Sequence, residues 1–91
     1  MADSNLEALF EQAQKDVRQL PHRPVDEDLL ELYALFKQAT EGDVTGPRPA
    51  FFDFRACAKY EAWSQTSGLS STDAMDRYCR VVCRLKSELA A

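Results

Sequence analysis

Hydrophobic positions recur every three or four residues along almost the whole chain, and nowhere do they alternate as a strand requires. Leu6, Leu9, Phe10, Ala13, Val17 and Leu20 form the first such series, which predicts an amphipathic helix ending near Leu20. Ser4, three residues before Glu7, is expected to close a reciprocal capping box at its start. Pro21 and Pro24 then interrupt the pattern. A second helix is expected from an N-cap at Asp26 to about Thr40. Its apolar positions, Leu29, Leu30, Leu32, Tyr33, Leu35, Phe36 and Ala39, cover more than one stripe. A helix apolar that far round has two partners, such as neighbouring helices and a ligand. Gly42 stops it.

Residues 42–52 hold Gly42, Gly46, Pro47 and Pro49, which predicts an ordered loop without regular structure. Loops of this length inside small domains are often functional. Phe51 and Phe52 are expected to pin its end to the core. Asp53 can cap a third helix, Phe54 to about Gln65, with Gly68 closing it or the turn that follows. Ser70, with Asp73 three residues on, starts a fourth helix to about Leu89, striped by Met75, Tyr78, Val82, Leu85 and Leu89. The expected fold is therefore all-α, an up-and-down bundle of four helices.

Length and composition narrow the setting. A chain of 91 residues suits one domain, expected to span residues 1–91, and its 45% hydrophobic and 29% charged residues are ordinary for a globular protein. The formal net charge of −4 is unevenly spread: residues 1–31 carry eight acids against three bases, residues 32–91 seven against eight. An acidic total argues against a general nucleic-acid coat, which needs many phosphate contacts, but leaves room for a local basic cluster aimed at one polyanion. No stretch is apolar enough to span a bilayer, so no stable membrane insertion is expected. Met1 to Asn5 lack the start of a secretory signal, and three cysteines point to a reducing compartment. A cytoplasmic monomer is the expectation.

The residues able to carry chemistry lie between Tyr33 and Tyr78. Tyr33, Phe36 and Lys37 share one face of the second helix, and Arg55 and Lys59 share one face of the third. Aromatic rings beside fixed cations suit a phosphorylated nucleotide, the ring stacking on the base and the cations pairing with phosphate oxygens. Spacing alone favours the plainer reading, core aromatics with solvated cations.

The run from Leu32 to Asp43, with Tyr33, Phe36, Lys37, Gln38, Ala39, Thr40, Glu41 and Gly42 in order, is followed by Arg48-Pro49 and Phe52-Asp53-Phe54. It continues with Ala58-Lys59-Tyr60-Glu61-Ala62-Trp63 and Asp73-Ala74-Met75 before Tyr78. This pattern resembles the acyl-CoA-binding protein family over nearly the whole chain, from about Leu6 to Leu85. The resemblance implies a four-helix protein that holds the acyl chain in a groove and places CoA over it. Tyr33 and Lys37 would then reach CoA phosphates, notably the 3′-phosphate, with Lys59 joining from the third helix. Phe36 would face the adenine, Arg18 and Arg55 would be peripheral basic contacts, and Tyr78 would lie near the thioester end. With Leu30, these make the expected ligand-binding set: Arg18, Leu30, Tyr33, Phe36, Lys37, Arg55, Lys59 and Tyr78. No catalytic residue, metal or cofactor is expected; the ligand is a long-chain fatty acyl-CoA.

The chain departs from the family pattern in four places. Phe36 stands where tyrosine is usual, Tyr60 replaces a usual tryptophan, Cys57 occupies a position often held by lysine, and Gln14 sits where a small residue is common. None removes Tyr33, Lys37, Lys59 or Tyr78. The implied role is high-affinity binding of medium- to long-chain acyl-CoA esters, as carrier and pool former in fatty acid metabolism, and not as an enzyme. Each sheltered methylene offers ~0.8 kcal/mol, so the tail drives affinity while phosphate contacts select CoA.

Other arrangements are weaker. Cys79 and Cys83 lie one helical turn apart, and with His22 the only histidine a fourth metal ligand is lacking. Helix geometry also disfavours a disulfide between them. His22, between two prolines, is expected to be solvated. The alternative function is a helical protein-interaction module that has kept the fold but lost tight acyl-CoA binding, using Arg77, Arg80, Arg84 and Lys86. Those bases, interleaved with Asp73, Asp76 and Glu88, are expected to be a solvated face complementing the helix dipole.

Overall fold

The structure, a computed structural model, describes residues 2–90, with side chains from residue 5 onward. It contains four helices: α1 (Ala2–Arg18), α2 (Asp26–Glu41), α3 (Phe54–Ser64) and α4 (Ser71–Glu88). The described residues hold no strand, in keeping with the all-α expectation. Among the described residues no helix is long and apolar enough to cross a membrane.

The helices lie in a row and not in a square. α4 packs against both α1 and α2, and α3 packs on α2. The result is a slab with extents of 37 × 34 × 15 Å. The core explains that order. α4 contributes Ala74, Tyr78, Val81, Val82 and Leu85, which wrap far enough round the helix to meet two neighbours. Phe10 and Ala13 of α1 close one side; Leu32, Leu35 and Ala39 of α2 close the other. The second apolar stripe of α2 turns to α3, as its width requires.

Helix ends follow local chemistry. The Asp53 carboxylate accepts the Ala56 N–H at 3.1 Å and the Ser70 hydroxyl accepts the Asp73 N–H at 3.0 Å, both as expected of N-caps. Asp26 does not cap α2. Val25 takes the N-cap position without a side-chain bond, and Asp26, the first helical residue, instead pairs with Arg23 at 3.1 Å. An acid there still favours the helix through the dipole. α1 already begins at Ala2, so Ser4 is inside the helix; its side chain, and hence the expected capping box, falls outside the described residues. Gly42 ends α2 with φ of 83°, a conformation that strains any residue with a Cβ.

A polar cluster around buried Gln38 fixes how the α3–α4 turn meets α2. The Gln38 amide, 1% exposed, donates to Asp43 Oδ1 at 2.8 Å and to the Leu69 carbonyl at 3.0 Å. Its carbonyl lies 3.0 Å from the Thr66 hydroxyl, and Asp43 also accepts the Gly68 N–H at 2.8 Å. Gly68, at φ of 93°, lies in that turn and not at the end of α3.

The loop between α2 and α3 is irregular but tied down. Arg48 pairs with Glu61 and lies 5.9 Å from the Tyr60 ring centre, while the Tyr60 hydroxyl donates to the Gly46 carbonyl at 3.2 Å. The expected anchoring by Phe51 and Phe52 is not found: they are 85% and 70% exposed, and Phe54 is 80% exposed. The two rings meet each other, edge to face with centroids 5.5 Å apart, because the turn that carries them points outward.

Candidate functional site

Two hollows on the α2 surface share a wall. The first, about 480 Å³, lies between α2 and α3. Leu29, Leu30, Phe54 and Ala58 supply apolar lining, Tyr33 a ring, and Arg23, Arg55 and Lys59 positive charge. The second, about 430 Å³, lies where α1, α2 and α4 approach, lined by Gln14, Val17, Arg18, Pro24, Leu32, Phe36 and Tyr78. Leu29 and Tyr33 line both, so the two hollows adjoin at one turn of α2.

Helical spacing builds this surface. Leu29 and Tyr33 are four apart, and Tyr33 and Phe36 three apart, so they form one ridge of α2. On α3, Phe54 with Ala58 and Arg55 with Lys59 make two parallel rows four residues apart. The Lys59 ammonium stands 5.2 Å from the Tyr33 ring centre, which fixes a positive charge beside an aromatic face across the α2–α3 boundary. Phe36 stacks obliquely on Phe10, centroids 6.1 Å apart, yet remains 36% exposed. Phe10 in turn meets Tyr78 edge-on at 5.0 Å. Burial pushes the Tyr78 phenol above its ordinary value, while the nearby Arg18 charge opposes that shift. The phenol therefore stays a neutral hydrogen-bond donor throughout the physiological range.

The structure thus gathers seven of the eight expected site residues around these hollows. Arg18, Phe36 and Tyr78 line the second; Leu30, Arg55 and Lys59 line the first; Tyr33 joins them. Lys37 lines neither. It pairs with Glu41 one turn along α2, and its ammonium lies 4.8 Å from the Trp63 ring centre. The hydrogen bond to Glu41 raises the Lys37 ammonium above its ordinary value. Trp63 is itself held by its indole N–H, which donates to the Gly42 carbonyl at 2.8 Å.

Several lining residues were not singled out from sequence: Arg23, Asp26, Leu29, Phe54 and Ala58 in the first hollow, and Val17, Pro24 and Leu32 in the second. The four-residue steps from Leu29 to Tyr33 and from Phe54 to Ala58 could have pointed to two of the rows. Nothing in the spacing signals that Arg23 and buried Pro24, in the α1–α2 connection, would reach the groove.

The basic residues of α4 are largely engaged elsewhere. Arg80 pairs with Asp76 at 2.8 Å, Arg84 bridges Asp28 and Glu88 at 2.8 Å each, and Lys86 reaches Asp16 at 3.1 Å. The Asp28 and Asp16 contacts tie α4 to α2 and α1. Arg84 and Lys86 thus tie α4 to its neighbours, Arg80 pairs within α4, and all three side chains stay largely exposed, as expected of a solvated face.

Comparison with known proteins agrees with this geometry. A family model described as acyl CoA binding protein matches residues 7–82. The chain is 43% identical over 88 residues to an acyl-CoA-binding protein homolog of Manduca sexta, covering 96% of this chain and 94% of that one. It is 44% identical over 77 residues to an acyl-CoA-binding protein of Saccharomyces cerevisiae, covering 85% and 88%. Its fold superposes on the crystal structure of Oryza sativa acyl-CoA-binding protein 2 with a TM-score of 0.94 at 37% identity, over 99% of this chain and 98% of that one. The solution structure of the yeast acyl coenzyme A binding protein matches with a TM-score of 0.71 at 41% identity, over 91% and 96%. With the family model covering most of its length and both sequence relatives aligned across it, the chain belongs to the acyl-CoA-binding protein family.

Proposed function

We propose that the protein binds long-chain fatty acyl-CoA esters on the α2 surface, as an intracellular carrier that shelters the thioester without cleaving it. The observation that carries this reading is the pair of adjoining hollows: apolar lining from Leu29, Leu30, Phe54 and Ala58 beside Tyr33, with Arg18, Arg55 and Lys59 around it. An acyl chain needs the first kind of surface and a multiply phosphorylated nucleotide the second. Family membership points to the same ligand. Lys37 joins the site in this reading by exchanging its Glu41 partner for a CoA phosphate.

A binding role without chemistry is supported by the lining itself. Neither hollow is lined by a serine, threonine, cysteine or histidine, so the groove offers no hydroxyl or thiol paired with an imidazole. A monomer in the cytoplasm completes the proposal. The interaction-module alternative gains no support: the relatives matched are acyl-CoA-binding proteins, and of its four bases Arg80, Arg84 and Lys86 are ion-paired, leaving Arg77.

Thermal unfolding tests the reading. A ligand present at about 100 times its Kd stabilises the folded state by about 2.7 kcal/mol. For a domain of this size that raises Tm by roughly 10 °C or more. Palmitoyl-CoA should do this, whereas equal CoA or palmitate should not. An unmoved Tm with palmitoyl-CoA would remove the proposal.

A further inference from the structure

We infer that the Phe51–Phe52 turn is a docking surface for a phospholipid bilayer, placed where the groove receives or releases its amphiphilic ligand. Phe51, Phe52 and Phe54 are the most exposed large hydrophobic residues described, and all lie within four consecutive positions. Exposed apolar patches of this kind mark interaction sites.

The turn is held, not loose. The Asp53 N–H donates to the Ala50 carbonyl at 2.9 Å, closing a turn with Phe51 and Phe52 at its tip. The Cys57 thiol lies 3.3 Å from the same carbonyl, and the Asp53 carboxylate is fixed on the Ala56 N–H. The rings therefore project from the rigid start of α3 and have not folded inward.

Two features select a bilayer as the occupant. Phe54, part of this patch, also lines the first hollow, so the patch adjoins the groove. The groove's proposed ligand is an amphiphile that partitions into lipid; the inference takes its occupant from that reading. Beside the rings stands exposed Arg55, which has no ion-pair partner among the described residues. Aromatic rings that enter the acyl boundary beside a guanidinium that stays at the phosphate level match the chemistry of a bilayer interface. With two rings inserted and no spanning helix among the described residues, the docking is peripheral and reversible.

The test is sedimentation with phosphatidylcholine vesicles in the absence of ligand, comparing the native protein with Phe51→Ser/Phe52→Ser. The native protein should partition onto the vesicles, and the double variant about tenfold less. Palmitoyl-CoA titration in vesicle-free buffer should be the same for both, which separates failure of docking from failure of the ligand assignment. If the double variant is less stable, Phe51→Ser alone, at the more exposed position, gives the same comparison. Equal partitioning of native and variant proteins, or none by the native protein, overturns the inference. So does a native dimer in analytical ultracentrifugation that the substitutions dissociate, since the patch would then be covered by a second copy.

Discussion

Lys59 of α3 holds its ammonium 5.2 Å from the centre of the Tyr33 ring on α2, and this pair stands in the wall of the groove. The contact places a charge and a π-face side by side on two different helices, so both are positioned before any ligand arrives. Lys59 is exposed and forms no part of the core.

Replacing Lys59 by alanine is therefore expected to weaken palmitoyl-CoA binding by more than about tenfold, the loss of one charge-assisted phosphate contact. Circular dichroism should show unchanged helix content. Calorimetric titration of the variant measures the effect, and unchanged affinity would refute the phosphate assignment.

Lys37 differs because it is already paired. Lys37→Ala should also weaken the ester by more than about tenfold. Glu41→Gln should act oppositely and tighten binding by about twofold, since the ammonium no longer leaves a carboxylate and exposed pairs contribute only a few tenths of a kcal/mol to about one. Weaker binding by Glu41→Gln would show that Lys37 acts from its present position over Trp63.

Tyr78 separates packing from polarity. It is 5% exposed and touches Phe10, so Tyr78→Ala should cost roughly 3–5 kcal/mol in stability by urea unfolding. Tyr78→Phe keeps the ring and should unfold within about 1 kcal/mol of the native protein. If the phenol contacts the ligand, Tyr78→Phe loses affinity while keeping that stability.

Acid should loosen the contact between α2 and the α3–α4 turn through Asp43. The Gly68 N–H first, and the Gln38 amide second, hold this carboxyl below its ordinary value of 3.8. Its contribution is complete above pH 3.8 and disappears as pH falls through the lower folded value. Asp43→Asn should lower Tm at pH 7, and the gap from the native protein should narrow below pH 3.8. A gap independent of pH would mean that the charge is immaterial.

Helix number and most helix ends were legible because they depend on neighbours in sequence: Asp53 and Ser70 cap through bonds three residues away, and Gly42 stops α2 by its own backbone. The rows of the candidate site were legible for the same reason within each helix, where Tyr33 with Phe36 and Arg55 with Lys59 follow from spacing. What spacing could not show was the direction of groups whose partners are chosen in space. Lys37 was expected to meet a ligand phosphate, and in the structure it pairs with Glu41. Asp26 had a competing cation in Arg23. Phe51 and Phe52 were expected inside on hydrophobicity alone, but the Ala50–Asp53 turn sets their direction outward. Arg23 and Pro24 line the hollows from the α1–α2 connection, where no helical repeat could signal them.

The most direct test of the central claim is isothermal titration of the protein with palmitoyl-CoA, beside CoA and palmitate. The account predicts one-to-one binding of the ester, with CoA and palmitate each bound far more weakly, because tail and phosphates occupy different parts of one surface. Equal affinity for palmitate and palmitoyl-CoA, or no heat with any of the three, would contradict it.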